Sequence, residues 1–183
     1  TLGQLLEKSR EYNIEVHLIF IDFFKAFDSI DRNAVVDAMR ERGIQEEIID
    51  LLSSMYGKSK AYVKLDKKER EFPTPKRVKQ GDPLSSNLFN AMLEKVSRKM
   101  NWEGYGMKIN GEYHNNLRFA DDIVLIGKDR EQLEKMIHEL LSECEKMGLK
   151  VNASKTKYMR SRGKEGEEAI VINEKEIEEV DEF

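Results

Sequence analysis

Leu117-Arg118-Phe119-Ala120-Asp121-Asp122-Ile123-Val124-Leu125-Ile126 sets two short apolar runs on either side of two adjacent carboxylates. Such a segment reads as a tight β-hairpin with its acids at the bend, turning on Ala120 and Asp121-Asp122. Burial of both arms is expected to hold two negative charges at one rim of an apolar sheet. Like charges so close raise each other's pKa unless a cation joins them, which makes a divalent metal the natural third party. A solvated Asp-Asp turn is the ordinary alternative, because Asp is common in turns. The rest of the chain decides between the two.

Upstream, Val16-His17-Leu18-Ile19-Phe20-Ile21 is a nearly unbroken apolar run. It is too short for a helix and typical of a strand covered on both faces. It delivers Asp22 at its end, where the backbone holds a side chain rigidly. Before it, Leu2, Leu5 and Leu6 begin a short amphipathic helix toward Tyr12. After it, Asp31 is placed to cap a helix containing Val35 and Met39, which stops at Gly43. A second helix carries Ile48, Leu51, Leu52, Met55 and Tyr56 and ends at Gly57. Residues 61–65 and the region around Phe72 read as a basic, exposed strand pair, and Pro73 and Pro75 then impose an extended connection. Asp82 as N-cap and Pro83 as first helical residue start a helix whose apolar face is Leu88, Phe89, Met92, Leu93, Val96 and Met100.

Asn110-Gly111 is a two-residue hairpin signal leading into the central Asp-Asp hairpin. Beyond the hairpin, Asp129 with Gln132 has the capping-box pattern. Leu133, Met136, Ile137, Leu140, Leu141, Cys144 and Met147 then form an amphipathic helix closed by Gly148. Residues 149–152 read as a short extended piece and 161–168 as a mobile polar loop. Residues 169–172 and 177–183 read as two short strands. This mixture predicts an α+β domain over residues 1–183, an antiparallel sheet with helices packed on one face.

The chain has 183 residues, 39% hydrophobic and 36% charged, with a net charge of −4 and a single cysteine, Cys144. One cysteine excludes an internal disulfide framework and suits a reducing compartment. No apolar run approaches the roughly 20 residues needed to cross a bilayer, and no signal-peptide pattern opens the chain, so an intracellular protein without membrane contact is expected. The charge is unevenly spread. Residues 58–79 carry nine basic residues against three acids, and residues 165–182 carry nine acids against Lys175 alone. The basic stripe reads either as a nucleic-acid footprint or as a solvated face.

Asp22, Asp121 and Asp122 together would meet at one edge if their strands are neighbours in a sheet. Such an edge suits magnesium, which binds through few carboxylates plus substrate phosphates. Two such ions about 3.5–4 Å apart clamp an in-line phosphoryl displacement. Adjacent side chains in a turn diverge, so Asp22 and Asp121 are expected to be the principal ligands.

Four ordered segments now form a pattern. Residues 20–28 (Phe-Ile-Asp-Phe-Phe-Lys-Ala-Phe-Asp), 80–85 (Gln-Gly-Asp-Pro-Leu-Ser) and 119–122 (Phe-Ala-Asp-Asp) resemble successive palm motifs of reverse transcriptases. Residues 148–152 (Gly-Leu-Lys-Val-Asn) with Lys155-Thr156 resemble the motif after the palm helix. The fit is to enzymes of non-LTR (LINE-type) retrotransposons, and residues 180–183 resemble the start of a primer-grip hairpin.

The resemblance implies a polymerase palm with a ferredoxin- or RRM-like core, lacking complete fingers and thumb, and cut from a longer protein of nuclear or cytoplasmic location. It implies RNA-directed DNA polymerase activity with an RNA template, a DNA primer, dNTPs and two Mg2+ ions (or Mn2+). Asp22, Asp121 and Asp122 match the metal-binding acids. Phe23, Phe27, Gln80 and Gly81 match positions beside the incoming nucleotide. A flat ring at Phe27 would leave no room for a 2′-hydroxyl, although the same residue reads also as ordinary core. Lys155 resembles the lysine that steadies the departing pyrophosphate, and reads equally as a solvated lysine. Asn152 is expected to fix the local turn. Lys58, Lys60, Lys64, Lys76, Arg77 and Lys79 would face nucleic-acid phosphates. Arg77 and Ser86 depart from the usual Gly and Pro, which puts nucleotide positioning in doubt. The rival implication is a catalytically inactive remnant kept as a nucleic-acid-binding or structural module. An RNA-templated RNA polymerase would share the acids but not a bulky aromatic at Phe27.

Overall fold

Strand β1 (His17–Ile21) is buried at every position, and the sheet is built outward from it. The computed structural model describes residues 2–24, 26, 31–57, 60–65, 68–73, 83–161 and 169–181. On one side β1 pairs antiparallel with β7 (Asp122–Gly127), from His17 opposite Gly127 to Ile21 opposite Ile123. On the other side it pairs antiparallel with β8 (Lys157–Arg160). Strand β6 (Asn116–Phe119) forms one edge and β11 (Glu178–Glu179) the other, giving the order β11-β8-β1-β7-β6.

A centre strand needs apolar residues in both directions, and β1 supplies them. Ile19 and Ile21 face the main core, formed with α2 (Arg32–Glu41), α3 (Glu46–Gly57), α4 (Pro83–Arg98) and α5 (Arg130–Lys146). Leu18 and Phe20 face a smaller cluster beneath α1 (Leu2–Glu11), with Leu5, Met107, Ile126 and Met159. Full burial of each such side chain stabilises by about 1.5–3 kcal/mol. These four helices lie on one face, as expected of this α+β class. Helix α1 and Met107, at the start of the hairpin β4 (Met107–Ile109) and β5 (Glu112–His114), cover part of the other.

Local signals explain most helix and turn positions. Asp31 caps α2 by accepting from the N–H groups of Asn33 and Ala34. Asn110 and Gly111 both have positive φ, as the β4–β5 turn requires. Asp129 caps α5 by accepting from Gln132 N–H, but the expected capping box is only half formed. The Gln132 amide oxygen instead accepts from Gly106 N–H (2.9 Å) and Lys128 N–H (3.1 Å), serving a buried loop rather than its own cap. Helix α4 begins at Pro83, while Asp82 lies outside the described residues, as do residues 162–168 of the loop expected over 161–168.

Several expectations need correction. Strand β8 carried no strand expectation, yet it is β1's second neighbour. Its two middle residues go to opposite faces, Tyr158 into the main core and Met159 into the α1 cluster. The C-terminal part holds three short strands rather than two: β9 (Val171–Ile172) and β10 (Lys175–Glu176) form a hairpin, and β11 pairs parallel with β8. Part of the acidic tail is thereby paired, Glu178 with Lys157 and Glu179 with Arg160. Among the described side chains of α3, Ile49 and Leu52 are buried, whereas Ile48, Leu51 and Met55 are exposed. Strands β2 (Lys60–Leu65) and β3 (Lys68–Pro73) do form the expected antiparallel pair.

Candidate active site

The β1–β7 register carries two acids to the same level. Ile21 opposite Ile123 is the last ladder pair, so one further step brings Asp22 level with Asp122. Side chains alternate along a strand. Asp22 therefore follows Phe20 and Asp122 follows Val124 onto the α1 face of the sheet. There both line an open pocket of about 600 Å³, together with Ser154, Lys155 and Lys157.

The hairpin bearing the acid pair is as tight as the sequence indicates. Phe119 pairs with Asp122, leaving Ala120 and Asp121 as the two turn residues. Ala120 sits at φ 54°, a left-handed conformation that costs an alanine roughly 1–2 kcal/mol. The expected burial of both arms is corrected: β7 is largely buried, but β6 is an edge strand and Phe119 is 83% exposed. Asp121 is half-buried in the turn and is not among the residues lining the Asp22 pocket. Among the described residues, no group of three or more His, Cys, Asp and Glu side chains is gathered closely enough to hold a metal ion by itself.

Lys155 reaches the pocket through a loop tied to the end of β1. Phe20 pairs with Lys157, and the next bridge joins Phe23 to Val151, so residues 152–156 bulge out beside Asp22. Phe24 N–H donates to Lys150 O at 2.7 Å, and Asn152 N–H donates to Asp22 O at 2.8 Å. Asn152 O accepts in turn from Lys155 N–H and Thr156 N–H, and Asn152 Oδ1 accepts from Ser154 Oγ. Asn152 thus shapes the turn, the role expected of it. Thr156 is fully buried, and its hydroxyl accepts from Asp22 N–H.

Ser154 and Lys157 escaped the sequence reading, since a small polar residue and one more lysine give no pattern, and Thr156 was part of the motif after the palm helix without a role of its own. Phe23 is buried with its ring edge-on to Phe89, so any contact with a nucleotide would fall to its backbone. Phe27, Gln80, Gly81, Lys58, Lys76, Arg77 and Lys79 lie outside the described residues, and Lys60 and Lys64 are placed on β2. No helix among the described residues is long and apolar enough to cross a membrane.

A strand-end acid level with a hairpin acid, on a sheet that is antiparallel except at its β11 edge and is backed by helices, is the layout expected of a polymerase palm. Residues 4–178 match the family model described as "Reverse transcriptase (RNA-dependent DNA polymerase)", and the chain belongs to that family. It is 30% identical over 151 residues to a Nasonia vitripennis protein, "Retrovirus-related Pol polyprotein from type-1 retrotransposable element R2", covering 82% of this chain and 15% of the relative. It is 29% identical over 169 residues to the corresponding polyprotein of the type-2 element R2DM of Drosophila melanogaster, covering 92% of this chain and 16% of that one. The likeness to LINE-type reverse transcriptases expected from the motifs is borne out, and the chain spans about a sixth of the length of these relatives. Among solved structures, apo telomerase from Candida tropicalis, truncated from its C-terminal domain, superposes with a TM-score of 0.64 at 17% identity. That match covers 91% of this chain and 36% of the telomerase chain, a likeness of fold.

Proposed function

We propose that the chain is the palm of an RNA-directed DNA polymerase, adding deoxynucleotides to a DNA primer 3′-hydroxyl under the direction of an RNA template. The observation that carries this reading is the meeting of Asp22, Asp122 and Lys155 in one pocket of a reverse transcriptase family fold. The donor set fits Mg2+ or Mn2+: the pocket offers hard carboxylate oxygens and neither thiolate nor imidazole, and magnesium completes its shell with water and phosphate. Asp22 and Asp122 would hold the ions, with Asp121 supplying a further carboxylate from the adjacent turn. Bound there, two ions would lower the pKa of the primer hydroxyl and hold the triphosphate.

The chain's own residues do the rest. The β1–β7 ladder fixes the level of Asp22 and Asp122, so little reorganisation is needed when charge develops. Lys155, which lines the same pocket from the loop before β8, steadies or protonates the leaving pyrophosphate. Phe27 excludes a 2′-hydroxyl from the incoming sugar. Lys58, Lys60, Lys64, Lys76, Arg77 and Lys79 bind phosphates without regard to sequence.

Primer extension by the intact protein on an RNA template tests this reading. Asp22→Asn and Asp121→Asn should each lose at least about 100-fold in rate while far-ultraviolet circular dichroism stays unchanged. Near-normal incorporation by either variant contradicts the site. A second reading, a nucleic-acid-binding module without catalysis, draws on the departures at Arg77 and Ser86 and on Asp121 standing outside the pocket lining. It predicts no extension by the unaltered protein.

A further inference from the structure

Two lysines line the Asp22 pocket, and the strand register sets them at different levels. Lys157 stands opposite Phe20 on β8. Partners directly across a ladder share a face, so the Lys157 side chain leaves the sheet on the α1 side, as Phe20 does. Asp22 lies two positions further along β1 on that face, about 7 Å on at strand spacing. Lys155 belongs to the loop between the Phe20–Lys157 pair and the Phe23–Val151 bridge, at the strand end beside Asp22. The Lys157 ammonium group pairs with Glu178, its neighbour on edge strand β11. The Lys157 side chain is only 22% exposed and that of Glu178 is 68% exposed. So open an ion pair contributes little to stability, and it gives no reason for a lysine to line this pocket. The charges are closely matched. Lys155 and Lys157 offset Asp22 and Asp122, while Glu178 and the turn residue Asp121 leave the surroundings negative.

We propose that Lys157 holds the last phosphodiester of the primer, and that Glu178 keeps the lysine behind Asp22 until that phosphate arrives. In an in-line displacement the attacking hydroxyl and the departing pyrophosphate lie on opposite sides of the phosphorus. With Lys155 on the leaving group at the strand end, the primer lies over the body of the sheet behind Asp22, at the level of Lys157. An ammonium group meets phosphate as a point charge and reads no base, which suits a primer whose last base changes with every addition. Lys157 is a positioning residue: it fixes the 3′-terminal nucleotide without touching the reacting atoms. The inference rests on the polymerase reading of this pocket and adds to it a residue on the primer side.

Binding of a DNA primer annealed to an RNA template by the intact protein, with magnesium across a KCl series, tests the assignment alongside single-nucleotide extension. Lys157→Ala should weaken binding about threefold to fivefold and flatten the salt slope by about 1, with KM for the nucleotide unchanged. Lys157→Arg should restore affinity and slope, because a guanidinium also holds phosphate. An uncharged methylphosphonate at the last primer linkage should cost the unaltered protein the same factor and Lys157→Ala nothing further. That non-additivity is not produced by misfolding. Glu178→Gln should tighten binding about twofold by releasing the lysine. Unchanged affinity in Lys157→Ala, or losses that simply add for the variant and the methylphosphonate, overturn the proposal. So does a raised KM for the nucleotide with primer binding intact, which would put Lys157 on the triphosphate. Failure of the polymerase reading shows separately, as extension that persists in Asp22→Asn.

Discussion

The hydroxyl of Thr156 joins the two halves of the candidate site, accepting the backbone N–H of Asp22 at 3.4 Å while donating to the carbonyl of Asn152 at 3.0 Å. Asp22 ends the central strand, and Asn152 begins the loop that carries Lys155. Thr156→Val keeps the shape and removes both bonds, leaving a part-buried N–H without its partner. A loss of about 1–2 kcal/mol in denaturant unfolding is expected. Primer extension should fall with KM for nucleotide nearly unchanged, because the carboxylate loses its fixed position rather than its charge. Unaltered stability and rate would reduce Thr156 to core packing.

Ala120 holds a left-handed conformation in the two-residue turn between Phe119 and Asp122. Glycine adopts that conformation without the clash at Cβ, so Ala120→Gly should stabilise the chain by up to about 1 kcal/mol, less the entropy glycine adds to the unfolded state. A lower melting temperature would show that the alanine methyl group makes contacts outweighing its strain.

These two residues mark where the sequence was legible and where it was not. The Asp-Asp hairpin, the buried strand before Asp22, the Asp31 and Asp129 caps and the Asn110-Gly111 turn each carry a local chemical signal. Strand β8 carries none. Its apolar residues, Tyr158 and Met159, are adjacent and go to opposite faces, and the charged ends Lys157 and Arg160 pair with an acidic edge strand distant in sequence. Without β8 the bulge that brings Lys155 beside Asp22 cannot be drawn. The register that levels Asp22 with Asp122 is likewise a tertiary fact. The motifs identified the acids as a set, but which one shares a pocket with Asp22 depends on where the β1–β7 ladder stops.

Cys144 lies fully buried on α5, and desolvation, with the nearby Glu143 charge adding to it, pushes its thiol up to about 12. The folded protein keeps this group a neutral thiol throughout the physiological range. Because the folded value lies above the ordinary one near 9.0, stability gained by keeping the thiol protonated is constant below the ordinary value. Above it the unfolded chain releases its proton first, so stability declines with rising pH until the folded value is passed. At pH 8 a thiol reagent such as DTNB should react with Cys144 only at the unfolding rate. Rapid stoichiometric labelling of the native chain would show that α5 opens locally.

Phe27 lies outside the described residues, and its assignment as sugar gate follows from the motif in which it stands. Phe27→Ala in the intact protein should admit ribonucleotides, lowering the preference for deoxynucleotides by at least about tenfold in competing primer extension. Unchanged sugar discrimination would move the gate elsewhere.

Divalent-metal binding at the rim shared by Asp22 and Asp122 is tested most directly by following the melting temperature of the chain during magnesium titration. Ions that bind the folded state alone stabilise it by about 2.7 kcal/mol at a hundred times their dissociation constant. The predicted result is a saturable rise in melting temperature with Mg2+ or Mn2+ that disappears in Asp22→Ala and is retained in a variant distant from the pocket, such as Glu112→Ala. A rise of the same size in Asp22→Ala, or no rise in the unaltered chain, would contradict it.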